Sequence, residues 1–156
     1  MTHQTKIAGP LALTLVACAL FFASSALAAG EKEKYEAKVK ENNDTIGVIA
    51  SVINYVCPKI APADSKICDG DDPVKKAVAL ATHIDEGKPV QHKAAGDQFV
   101  DAVDHFKQHY PLRDKARDFA KKGDFANAYG YEEYAFQYLV KVATQGLLAK
   151  NMVDAK

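Results

Sequence analysis

Apolar residues recur along this chain at the three- and four-residue steps of helices, and no stretch shows the sustained alternation of a strand. From Tyr35 the stripe Tyr35, Val39, Ile46, Ile49, Val52, Ile53 and Val56 predicts a first helix. Asn42, Asn43 and Asp44 interrupt the stripe and predict a bend or a restart. The helix is expected to end at Cys57-Pro58, because a residue before proline is biased out of the helical region. Residues 58–71, with Pro58, Pro62, Gly70 and three aspartates, read as a loop. Asp72-Pro73 then marks a helix start, with Asp as N-cap and Pro where its missing N–H costs nothing. Val74, Ala77, Val78 and Ala81 form its apolar face, and Gly87-Lys88-Pro89 stops it.

A third helix begins near Gln91 and buries Phe99, Val100, Val103, Phe106 and Tyr110. Pro111 either breaks it or kinks it onward through Leu112, Ala116 and Phe119. Gly123-Asp124 is the next turn, and a last helix runs from Phe125 to about Ala149 with Ala128, Ala135, Leu139, Val142 and Ala143 on one face. The fold class expected is all-α: one small bundle of four to five helices with one disulfide-closed loop.

The first 28 residues change the picture. Lys6 is their one charge, Ile7 to Ala23 is nearly all apolar, and Ala26-Leu27-Ala28 offers the small residues a signal peptidase needs. The expectation is a signal peptide over 1–28 and an exported domain over 29–156, periplasmic or extracellular, with no membrane span after cleavage. Leu15-Val16-Ala17-Cys18 also has the pattern of a lipoprotein box, but a chain starting at lipidated Cys18 would continue inside the apolar run instead of a polar tether. The whole chain balances 20 basic against 20 acidic residues, so loss of Lys6 leaves the remainder one unit negative. It carries neither the basic stripe of a nucleic-acid surface nor a polybasic patch for anionic membrane. Beyond the leader two cysteines remain, Cys57 and Cys68. In an oxidising compartment they read as a disulfide, worth about 3 kcal/mol for so short a loop.

The segment 112–148 carries a likeness. Ala116, Phe119, Gly123, Ala128 and Ala135 sit as in the turn of a tetratricopeptide hairpin, but a single unit cannot close such an array. Together with Glu33-Lys34-Tyr35-Glu36, the residues Lys122, Gly123, Asp124, Phe125, Asn127, Ala128, Tyr134 and Ala135 resemble a small archaeal helical domain of unknown function. The resemblance implies a long helix, a turn and a second long helix. It implies no activity.

Two constellations are candidates for chemistry. Asp97, Asp101, His105 and His109 follow at four-residue steps, so two imidazoles and an acid could share one divalent transition metal. The same row is also what the solvent side of an amphipathic helix carries. The last helix crowds Tyr129, Tyr131, Tyr134, Phe136 and Tyr138 into ten residues. Tyr131, Glu132, Tyr134 and Tyr138 are there the candidates for a ligand or association face, with core packing as the alternative. Glu132 lies in the row of Ala128 and Ala135, which predicts burial. No Gly-x-Ser-x-Gly, phosphate loop, CxxCH or HExxH is present. The aspartates 64, 69, 71 and 72 fail as a calcium loop because Pro73 stands at the fifth position. The expected function is that of an exported, non-catalytic helical protein acting on a protein partner or on itself, without a cofactor. The alternative is a metal-binding protein using the Asp/His row.

Overall fold

The computed structural model describes residues 11–155, with side chains from Gly30 onward. Residues 1–28, expected to be a signal peptide, and Cys18 among them therefore lie outside the residues whose side chains are described. Four helices form: α1 (Leu11–Ile60), α2 (Pro73–Asp85), α3 (Lys93–Lys121) and α4 (Phe125–Asp154). Among the described residues there is no strand. The bundle is all-α, and Cys57 is bonded to Cys68 with the two Cα atoms 5.8 Å apart.

The α3–α4 hairpin is the scaffold. Gly123, at φ 77°, takes the left-handed conformation that ends α3, and the Asp124 carboxylate caps α4 by accepting from the backbone N–H of Asn127 at 3.2 Å. Small residues let the two helices approach: Ala116, Ala128 and Ala135 are wholly buried. α1 lies mainly on α4 and runs parallel to it, since Lys38 meets Glu133, Asn42 meets Glu132 and Tyr55 meets Asp154. α2 closes the lower end, placing Ala77, Leu80 and Ala81 into the core against Val56, Cys57 and Ile60 of α1 and Phe99 and Val103 of α3.

Several expectations are corrected. α1 does not restart at Asn42–Asp44; it passes through as one continuous helix, with Asn42 itself buried. It also runs past Cys57 through Pro58 to Ile60. A proline here removes only the bond to the Asn54 carbonyl, the next ring closes normally from Ala61 N–H to Cys57 C=O at 2.9 Å, and burial of Ile60 and Ala61 holds the turn. In α2 it is Leu80, not Val78, that is buried; Val78 is exposed. α3 starts at Lys93 and not at Gln91, because Gln91 is committed to α1: its backbone N–H donates to the Ile60 carbonyl at 2.9 Å and its amide to the Ala61 carbonyl. Pro111 is no correction, since both outcomes were open there: α3 continues through it, and both Pro111 and Lys107, whose carbonyl it leaves free, are exposed to water. α4 extends to Asp154, whose carboxylate accepts from Tyr55 Oη at 2.7 Å, Lys59 Nζ at 2.6 Å and Lys150 Nζ at 2.8 Å.

Candidate functional site

Two features stand at the upper half of the bundle, the half that contains the Gly123 turn. The first is inside. Glu132 of α4 is 1 % exposed and has two donors to its carboxylate. Arg113 of α3 sends its Nε to Oε2 at 3.1 Å and to Oε1 at 3.3 Å, and Asn42 of α1 sends its Nδ2 to Oε2 at 2.5 Å and to the Glu132 carbonyl at 3.0 Å. Arg113 Nη2 also donates to Asn43 Oδ1 at 2.9 Å, so one guanidinium ties α3 to both α4 and α1. Asn42 Oδ1 has no hydrogen-bond partner among the described residues. His109, 1 % exposed, lies one turn before Arg113 and bonds through Nδ1 to the Phe106 carbonyl. Burial holds its pKa below the ordinary 6.5, and the neighbouring Arg113 adds to the effect. Burial, and after it the Glu132 carboxylate, push the Tyr35 hydroxyl up.

The second feature is outside, on the same stretch of hairpin. Phe119 of α3 and Tyr131 of α4 stack with ring centroids 5.4 Å apart and planes 13° off parallel, and Tyr134 meets Tyr131 edge-on at 6.5 Å. Tyr134 is 58 % exposed. Lys115 and Lys122, one turn or less to either side of Phe119, lie 5.6 Å over Tyr131 and 5.7 Å over Phe119. Among the described residues neither lysine is in an ion pair with a carboxylate. Their i, i+7 spacing sets them about 10 Å apart along α3.

The structure divides the expected sites. Tyr131 and Tyr134 do belong to one surface. Glu132 does not join them, because it is buried in the ion-paired layer, and Tyr138 lies lower, 6.1 Å from the His105 ring. The Asp/His row is not brought together either. Four residues turn a helix by about 40° more than one revolution, so three such steps rotate the row by about 120°. Asp97 is left outside with Lys93 at 3.1 Å, Asp101 is exposed, and His105 bonds its own helix at the Asp101 carbonyl at 2.7 Å. His109 arrives in the core. Among the described residues no group of three His, Cys, Asp or Glu side chains stands close enough to hold a metal ion.

Sequence reasoning gave no role in a site to Asn42, Arg113, Lys115 or Lys122. Asn42 carried a signal: it lies three residues after Val39 and four before Ile46, a core position of the stripe. The core itself offers little space for a ligand. The crevice between Ile53, Phe99, Phe106 and Val142 is apolar and holds about 20 Å³, room for about one water molecule. No helix among the described residues is long and apolar enough to cross a membrane. No protein family, no curated protein and no solved structure matches the chain.

Proposed function

We propose that this is an exported, non-catalytic helical protein that works by association, and that the surface it uses is the aromatic face of the hairpin around Tyr131 and Tyr134. The observation that carries this reading is the exposed Tyr134 beside the stacked Phe119–Tyr131 pair. Aromatic rings add large contact area at little conformational-entropy cost, which suits an interface better than a solvated helix face. The narrow core crevice supports a surface over an internal ligand pocket. Export is supported by the leader-like segment 1–28 and by the Cys57–Cys68 disulfide, which persists in oxidising compartments.

The test is sedimentation of the purified protein across a wide concentration range, alone and beside Tyr134→Ser. Self-association weakened at least tenfold by the substitution, with the far-UV spectrum unchanged, supports the reading. A protein that stays monomeric throughout, and whose in situ cross-links from position 134 match those from exposed Lys93, overturns it.

A further inference from the structure

The two halves of α1 are held by different means. Below Ile46 the helix buries Ile49, Ile53, Val56, Cys57 and Ile60, and the disulfide closes behind it. Above, from Gly30 to Val48, Asn42 is the one residue fully buried. That upper arm is tied by polar or mixed contacts: Asn42 to Glu132, Asn43 to Arg113, Lys38 to Glu133 at 2.8 Å, Lys38 over the Phe136 ring at 4.4 Å, and Tyr35 against Phe125 at 6.0 Å. At the boundary stands the run Asn42-Asn43-Asp44-Thr45-Ile46-Gly47, six successive residues of weak helix propensity in the middle of a long helix. Gly47 is exposed, and a Cβ there would meet nothing within 4 Å, so no packing demands glycine at that point.

We infer that Asn42–Gly47 is a joint, on which the arm formed by residues 30–41 swings off the α3–α4 hairpin while the lower bundle stays folded, and that mild acid releases it. The release runs through His109. The charges acting on this imidazole are Arg113 from its own helix and Glu132 from α4. α1 brings to the layer the neutral amides of Asn42 and Asn43 and the Tyr35 hydroxyl, itself pushed up by burial and by Glu132, and Asp72 at the start of α2 acts on the adjoining Tyr110 instead. A proton on His109 puts a second cation beside Arg113 in a buried site, and Arg113 is the group that holds Asn43, the second residue of the joint. His109 is held below its ordinary value in the folded protein, so its contribution is complete above about pH 6.5 and is lost as pH falls from there toward the lowered value.

Hydrogen exchange on the intact, disulfide-bonded protein tests this. At neutral pH, amides of 34–45, corrected for intrinsic rates, should exchange at least tenfold faster than those of 49–60. Between pH 7.5 and 5 that gap should widen. Gly47→Ala should slow exchange in the arm about fivefold, the factor that corresponds to the glycine–alanine difference in helix propensity, and leave 49–60 unchanged. His109→Gln, which cannot titrate, should abolish the widening; should that variant not fold, the wild-type profile and Gly47→Ala still decide. Uniform protection along 34–60, or loss of protection everywhere at the same pH, overturns the joint. A widening that persists in folded His109→Gln overturns the trigger.

Discussion

The lower and upper halves of this bundle solve the same packing problem with opposite chemistry. At the disulfide end, Ile53, Val56, Ile60, Leu80, Phe99 and Val142 fill the space between the helices with apolar side chains, and Gly96 and Gly146 let helices touch: a Cβ on Gly146 would stand 3.2 Å from Val52 Cγ1. At the hairpin end the corresponding level of the core is a charged layer of Asn42, Arg113 and Glu132 with His109 beside it. An apolar layer is stabilised by area and tolerates sliding of one helix against the next. A buried ion pair adds little net stability, because desolvation consumes most of the attraction, but it penalises every register in which the pair is broken. The lower half therefore holds α1 in place and the upper half fixes where along α4 it sits.

The largest effect that can break this comparison comes from Arg113→Met. It strands the Glu132 carboxylate in the core, and stability should fall by about 3–5 kcal/mol, most of it recovered in Arg113→Met/Glu132→Leu. Chemical denaturation measures both; equal losses in the single and double variants would mean that the layer acts by shape and not by charge. Next is reduction of Cys57–Cys68, which removes about 3 kcal/mol and should lower Tm by about 10 °C while leaving the helical spectrum intact. An unchanged Tm would show that the apolar end needs no staple. The smallest effect sharpens the contrast between the glycines. Gly146→Ala gains about 1 kcal/mol of helix propensity but presses on Val52, so its net change should lie within about 1 kcal/mol of zero. A gain as large as that of Gly47→Ala, where space is open, would show that the lower contact is slack.

The apolar half was legible in the sequence. Ile49, Ile53 and Val56, then Phe99, Val103 and Phe106, then Leu139 and Val142 announce themselves by hydrophobicity at helical spacing, and all are buried. The disulfide followed from the two cysteines beyond residue 28. The polar half was legible only in part. Glu132 kept the spacing of its buried neighbours and could be placed inside, whereas Asn42 sat at an equally regular position and looked like an interruption, because nothing local reveals that its partner lies 90 residues away. His109 was misplaced by treating four-residue steps as a straight line. Pro58 was judged by a local rule that burial at Ile60 overrode, and of the two outcomes left open at Pro111 the helix continues, with solvent at Lys107. Of the surface, Tyr131 and Tyr134 could be read from composition. Their lysine flanks could not, since Lys115 comes from the opposite helix and Lys122 from the residue just past its end.

The parallel course of α1 and α4 also sets an order of assembly. Arg113 and Glu132 are 19 residues apart and meet as soon as the Gly123 turn closes, whereas Asn42 must find Glu132 across 90 residues. Loop closure over the longer span costs more entropy before any contact repays it, so the hairpin is the fast, local nucleus and α1 docks onto it late. Until that docking occurs, half of the groove on α4 is open, with the Glu132 carboxylate held by Arg113 alone.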